Sequence, residues 1–255
     1  MKPAPVFYVG LHQPSDAFRF ERACVSINRL GVRKKPLGCP DVLVDSGAFT
    51  ELERHHRYRH PVSHYAAQLR RLKSHGTVEV TAAVAQDYMC EPAMLKRTGL
   101  TIEKHQRLTL ERYDRLLGCD TAGIPILPVL QGFSPEDYVR HLYAYGLRLP
   151  FGAWVGVGSV CKRNGDPRQV VDVLAAIHRE RRDLRLHCFG VKQTALLHAG
   201  VRDLLWSADS MAWSYSARKQ GRNGNSWTEA RRFSDRVQGT AALELEPWQM
   251  PLPLR

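Results

Sequence analysis

Val42-Leu43-Val44-Asp45-Ser46-Gly47-Ala48-Phe49 sets three consecutive β-favouring apolar residues directly ahead of a carboxylate, a hydroxyl and a glycine. A run so short and so uniformly apolar reads as a strand buried on both faces, and the polar residues that close it read as a strand end opening onto a site. Working outward, the pattern returns. Ala83-Val84-Ala85-Gln86-Asp87-Tyr88 closes on a carboxylate, and Ile126-Leu127-Pro128-Val129-Leu130-Gln131-Gly132 on an amide. Val155-Gly156-Val157-Gly158-Ser159 closes on glycine and serine, Cys188-Phe189-Gly190-Val191 puts an aromatic beside a glycine, and Trp206-Ser207-Ala208-Asp209-Ser210 brings a third carboxylate.

Seven apolar runs suit strands: 6–9, 42–44, 78–84, 126–130, 154–157, 184–189 and 204–206. Between them apolar residues recur at helical spacing, in the sets Tyr65/Leu69/Leu72, Leu110/Tyr113/Leu117, Tyr138/Leu142/Tyr145 and Val170/Leu174/Ile177. Ser134-Pro135 and Asp166-Pro167 each put a capping side chain before a proline at a helix start, and Gly200 suits a helix C-terminal cap. Alternating strands and helices define an α/β fold, either a closed barrel or an open doubly wound sheet, and periodicity leaves both open. The segment 246–255 is too rich in proline for a regular element and is expected to lie across the surface of one 255-residue barrel domain.

Composition narrows the function. With 44% hydrophobic residues and no stretch approaching the roughly 18 apolar residues of a membrane span, a cytoplasmic protein without a membrane partner is expected. The six cysteines contain no CxxC pair, so reduced thiols and no metal are expected. His56, His60 and His64 recur at intervals of four, but Pro61 interrupts a helix there and no acidic ligand joins them. A formal charge of +12, from 37 Lys and Arg against 25 Asp and Glu, favours a polyanionic partner. The strand-end set of carboxylates, amide, glycine and aromatic suits a flat heterocycle with an amidine-like edge, such as a purine or deazapurine.

The motifs VDSGAF, AQDY, PVLQG, VGVGS, CFGVK and SADS, in that order, resemble the tRNA-guanine transglycosylase superfamily over residues 42 to 224 or so. The absence of a Cys/His zinc cluster after Asp209 resembles its DNA-directed branch, the deazapurine-DNA transglycosylases of phages and bacterial modification islands. The resemblance implies a (β/α)8 TIM-type barrel, with an irregular last unit allowed and no C-terminal zinc subdomain. It implies no cofactor, and exchange of guanine in DNA for a free 7-deazaguanine such as preQ0. DNA is the expected partner, with tRNA or an N-glycosidase reaction as alternatives, and partner proteins of a DNA-modification system are compatible with it. Asp209 matches the nucleophile and Asp45 the general acid/base; Ser46, Asp87, Gln131, Gly158 and Ser159 would line the base pocket, with Phe49 and Phe189 sandwiching the ring. Arg218, Lys219 and Arg222 fall in the stretch that faces the nucleic acid, and Arg54, Arg57 and Arg59 are further candidates for phosphate contact.

Overall fold

The computed structural model describes residues 4–163 and 166–243, so the proline-rich segment 246–255 lies outside the described residues. Its strands are β1 (Val6–Gly10), β2 (Arg22–Ser26), β3 (Asp41–Asp45), β4 (Val80–Val84), β5 (Ile126–Leu127), β6 (Val129–Leu130), β7 (Trp154–Val157), β8 (Arg185–Cys188) and β9 (Ser207–Ser210). They form one all-parallel sheet in the order β5-β4-β3-β2-β1-β9-β8-β7-β6. β5 and β6 are two halves of one stave, interrupted at Pro128, which has no N–H to give to a ladder. The first half pairs with β4 through Ala83↔Ile126, and the second with β7 through Val129↔Gly156. The sheet thus curls into a nearly closed barrel of eight staves, the (β/α)8 TIM-type architecture.

The helices interleave with the staves: α1 (Ile27–Leu30), α2 (Ala48–His55), α3 (Val62–Ser74), α4 (Pro92–Thr98), α5 (Ile102–Leu117), α6 (Pro135–Tyr145), α7 (Pro167–Glu180), α8 (Gln193–Leu196), α9 (Ala199–Leu204), α10 (Ala212–Lys219) and α11 (Trp227–Leu243). The expected stripes of α3, α6 and α7 are buried at every position, each large side chain contributing about 1.5–3 kcal/mol by leaving water. In α5 Tyr113 is buried and Leu110 partly so, as expected, but Leu117 is 54% exposed and Leu116 is buried in its place. Ser134 begins α6 with a capping box: its hydroxyl accepts from Asp137 N at 3.2 Å while the Asp137 carboxylate accepts from Ser134 N at 2.8 Å. The Asp166 carboxylate accepts from Arg168 N at 3.0 Å at the start of α7.

Three sequence expectations give way. β2 is not among the seven runs, because Arg22-Ala23-Cys24-Val25-Ser26 carries only three apolar residues, yet β3 pairs with it at all five positions and β1 at Ala23 and Cys24. The last strand is Ser207–Ser210 rather than 204–206, because Leu204 ends α9 and the small polar residues that follow fit between β1 and β8. Gly200 lies inside α9 instead of capping a helix. Among the described residues no helix is long and apolar enough to cross a membrane.

Candidate active site

Parallel staves carry all their carboxyl ends to one face of the barrel, and there the residues closing the strands surround a cavity of about 690 Å³. Asp45, Asp87, Gln131, Gly158, Ser159, Phe189 and Asp209 all line it, together with Phe49 from the first turn of α2.

Asp45 ends β3 and Asp209 lies within β9, with β2 and β1 between them in the ring. Burial holds the Asp45 carboxyl above the usual carboxylate range, and the charge of Asp209 pushes it further. The thiol of Cys24, buried on β2 between the two, is raised chiefly by burial and then by both carboxylates. Each aspartate has one oxygen anchored by a backbone amide: Gly47 N donates to Asp45 Oδ2 at 3.0 Å, and Gly190 N to Asp209 Oδ1 at 3.0 Å. Gly47 is favoured by its φ of +76°, in the left-handed region that side chains rarely adopt.

The opposite wall is a closed hydrogen-bond network. Gln131 Nε2 donates to Asp87 Oδ2, Ser159 Oγ donates to Gln131 Oε1 at 2.7 Å, and Cys90 N donates to Ser159 Oγ at 2.8 Å. The Gln131 amide is thereby oriented, with oxygen toward Ser159 and nitrogen toward Asp87. A Cβ on Gly158 would sit 2.1 Å from Gln131 Nε2, so only glycine leaves that side chain its place. Burial, followed by the negative charges of Asp45 and Glu91, raises the Asp87 carboxyl to about 7 against the pull of its bond from Gln131.

Phe189 is half-buried and Phe49 is 49% exposed, so the two rings border the cavity from unlike settings. Ser46 is not brought to this cavity. Neighbours in an extended segment point opposite ways, and Ser46 turns from Asp45 into a smaller cavity of about 180 Å³ beside Glu51, Tyr58 and Gln86. None of the six predicted basic residues lines the main cavity. Arg59 is held by Glu51 at 2.7 Å and Arg222 by Glu229 at 2.9 Å; Lys219 lies over the Tyr215 ring, and Arg54, Arg57 and Arg218 are exposed.

The cavity also gathers residues that sequence reasoning missed: His12, Asn28 and Arg29 beyond β1 and β2, and Met89, Glu91, Met94 and Arg97 around α4. Asn28 and Arg29 follow β2, whose weak apolar pattern gives no sign in the sequence that a strand ends there. His187, buried in β8 with Nε2 3.4 Å from Asp209 Oδ1, had a readable signal as a polar residue inside an apolar run. Among the described residues no group of three or more His, Cys, Asp or Glu could hold a metal.

Barrel and cavity define a class: a (β/α)-barrel protein whose strand-end carboxylates and amide converge on one cavity. Residues 4–230 match the family model described as DpdA, DeoxyPurine in DNA protein A, and the chain belongs to that family. Membership implies a transglycosylase enzyme of DNA deazapurine modification, with DNA as substrate. No curated protein is a match for the chain.

Proposed function

We propose that this protein exchanges guanine in DNA for a free 7-deazaguanine of the preQ0 type, through a covalent ester between Asp209 and the deoxyribose. The observation that carries this reading is the meeting of Asp45 and Asp209, 164 positions apart in the chain (209 − 45), at one cavity whose far wall bears Asp87 and the oriented Gln131 amide.

The target nucleotide leaves the duplex stack, at a cost of a few kcal/mol, and enters the cavity, whose volume falls in the range usual for ligand sites. The Asp209 carboxylate attacks C1′ as the bond from C1′ to N9 breaks, and the departing guanine takes a proton from Asp45, whose raised affinity for protons suits it to carry one. Asp45, now a carboxylate, removes the ring proton of the incoming deazaguanine. That nitrogen attacks C1′ and the ester bond breaks, restoring Asp209. Asp87, Gln131 and Ser159 hydrogen-bond the base, Phe49 and Phe189 cover its faces, and exposed arginines, Arg218 foremost, hold the backbone.

The test is incubation of the purified protein with duplex DNA and labelled preQ0. Guanine release matched by label uptake, without strand cleavage, is expected. Abasic sites formed without an incoming base would replace exchange with hydrolysis, and label entering tRNA instead of DNA would overturn the substrate.

A further inference from the structure

We propose that His187 is a positioning residue for Asp209, fixed in one tautomer by a relay from Trp154 through Ser207; this rests on the reading of Asp209 as nucleophile. The ring is 0% exposed and boxed by Phe189, Trp154 and Tyr8, with centroids 4.7, 5.9 and 6.1 Å away. An aromatic box accepts any flat ring, so packing alone gives no reason for an imidazole.

The hydrogen bonds do. The indole Nε1 of Trp154 can only donate, and it donates to Ser207 Oγ at 2.8 Å. Ser207 Oγ also lies 2.9 Å from His187 Nδ1. While accepting from the indole, the serine hydroxyl still has its own proton to give to Nδ1, and in that arrangement Nδ1 is the acceptor and the imidazole proton sits on Nε2, the tautomer the proposal assigns. Nε2 is buried without a hydrogen-bond partner, and 3.4 Å away lies Asp209 Oδ1. A buried donor left unmade is unfavourable, and contacts of this kind in a free enzyme tighten when substrate arrives.

Oδ1 already accepts from Gly190 N, so a second donor on the same oxygen would commit it fully and turn Oδ2 to the sugar. In the ester, Oδ1 becomes the carbonyl oxygen. When the ester breaks, the bond's electron pair returns to the carboxylate, and the two donors on Oδ1 stabilise it as it leaves. His187 neither gains nor loses a proton; it sets the direction of attack and eases departure.

The experiment uses the full chain in the guanine exchange assay. His187→Phe keeps a flat ring but removes the donor. A loss in kcat of roughly ten- to a hundredfold is expected, the worth of one hydrogen bond to a charged group. KM for the free base should stay within about twofold, and a larger share of enzyme should be trapped as the DNA adduct because departure slows. His187→Gln, which restores an N–H at similar reach, should recover most of the rate. Should the Phe variant not fold, Ser207→Ala carries the test, with kcat expected to fall by at least about threefold as the tautomer is released. Unchanged kcat in either variant, or Gln as damaging as Phe, would overturn the proposal. Asp209→Ala, run alongside, separates the two readings. Exchange surviving in it removes the nucleophile itself, whereas its loss combined with normal rates in the His187 and Ser207 variants removes only the relay.

Discussion

The wall between β4 and β7 and the pair of aspartates on β3 and β9 face the same cavity but differ in how completely they are bonded. On the wall, Gln131 is fully enclosed, with its oxygen and nitrogen both engaged, Ser159 Oγ has two partners, and the Gly158 carbonyl accepts from Tyr138 OH at 2.6 Å. Asp209 Oδ1 is anchored by the Gly190 amide, whereas Asp45 is bonded by the Gly47 amide and further by the Ser26 side chain and the Ser46 amide. The difference matches the two tasks proposed for them. Recognition of a rigid base gains from groups already held in place, whereas attack on a sugar needs a carboxylate oxygen with an uncommitted lone pair.

The largest test of that contrast is Asp209→Ala. Losing a covalent step should lower exchange by on the order of 10⁴-fold, and activity within tenfold of normal would dissolve the distinction between the two walls. Asp45→Asn comes next, keeping size and hydrogen bonding while removing the transferable proton. A loss of about 10²- to 10³-fold in kcat with base binding retained is expected, and a change confined to KM would move Asp45 to the recognition side.

Asp87→Asn sharpens the comparison from the other wall. It should weaken free-base binding by about 1.5–3 kcal/mol, read by titration calorimetry, with the bound fraction still turning over. Only the ionised carboxylate accepts from two base donors, so binding by the unaltered protein should weaken as pH falls below about 7, the value to which burial raises Asp87. The same shift acts on stability with a defined sign. The folded group, near 7, binds a proton more tightly than the ordinary carboxyl at 3.8, so folding takes up a proton between those values and stability declines as pH rises through that window. The asparagine variant should therefore be more stable than the parent at pH 8, by about 1–3 kcal/mol, and no different near pH 3. Equal melting temperatures at both pH values would show that Asp87 is not held protonated.

The smallest effect concerns the surface. Arg218→Ala should reduce the salt slope of DNA binding by about 1, and Arg222→Ala by less, because Glu229 already occupies that guanidinium. Equal slopes in the two variants would mean that the ion pair opens when DNA binds.

The staves and helices were legible where local pattern is strong. The apolar run before Asp45, the stripe Tyr138/Leu142/Tyr145 and the Ser134 cap each follow from spacing within a few residues of chain. β2 was not legible, since three apolar residues between Arg22 and Ser26 carry little signal by themselves; pairing with β1 and β3 makes the strand. That gap propagated to the site, because the rim residues Asn28 and Arg29 were recognisable only from the strand they follow.

The sequence by itself determined the alternation of elements, the chemistry waiting at each strand end and the order of motifs that marks the family, because each depends on residues adjacent along the chain. Tertiary structure alone decided which of them meet. Ring closure through the stave broken at Pro128 brings Gln131 to Gly158 and Asp87, strand alternation turns Ser46 away from Asp45, and the register of β8 against β9 sets His187 beside Asp209. Folding into a closed barrel makes contact between strand ends a matter of register and curvature, which no stretch of chain encodes on its own.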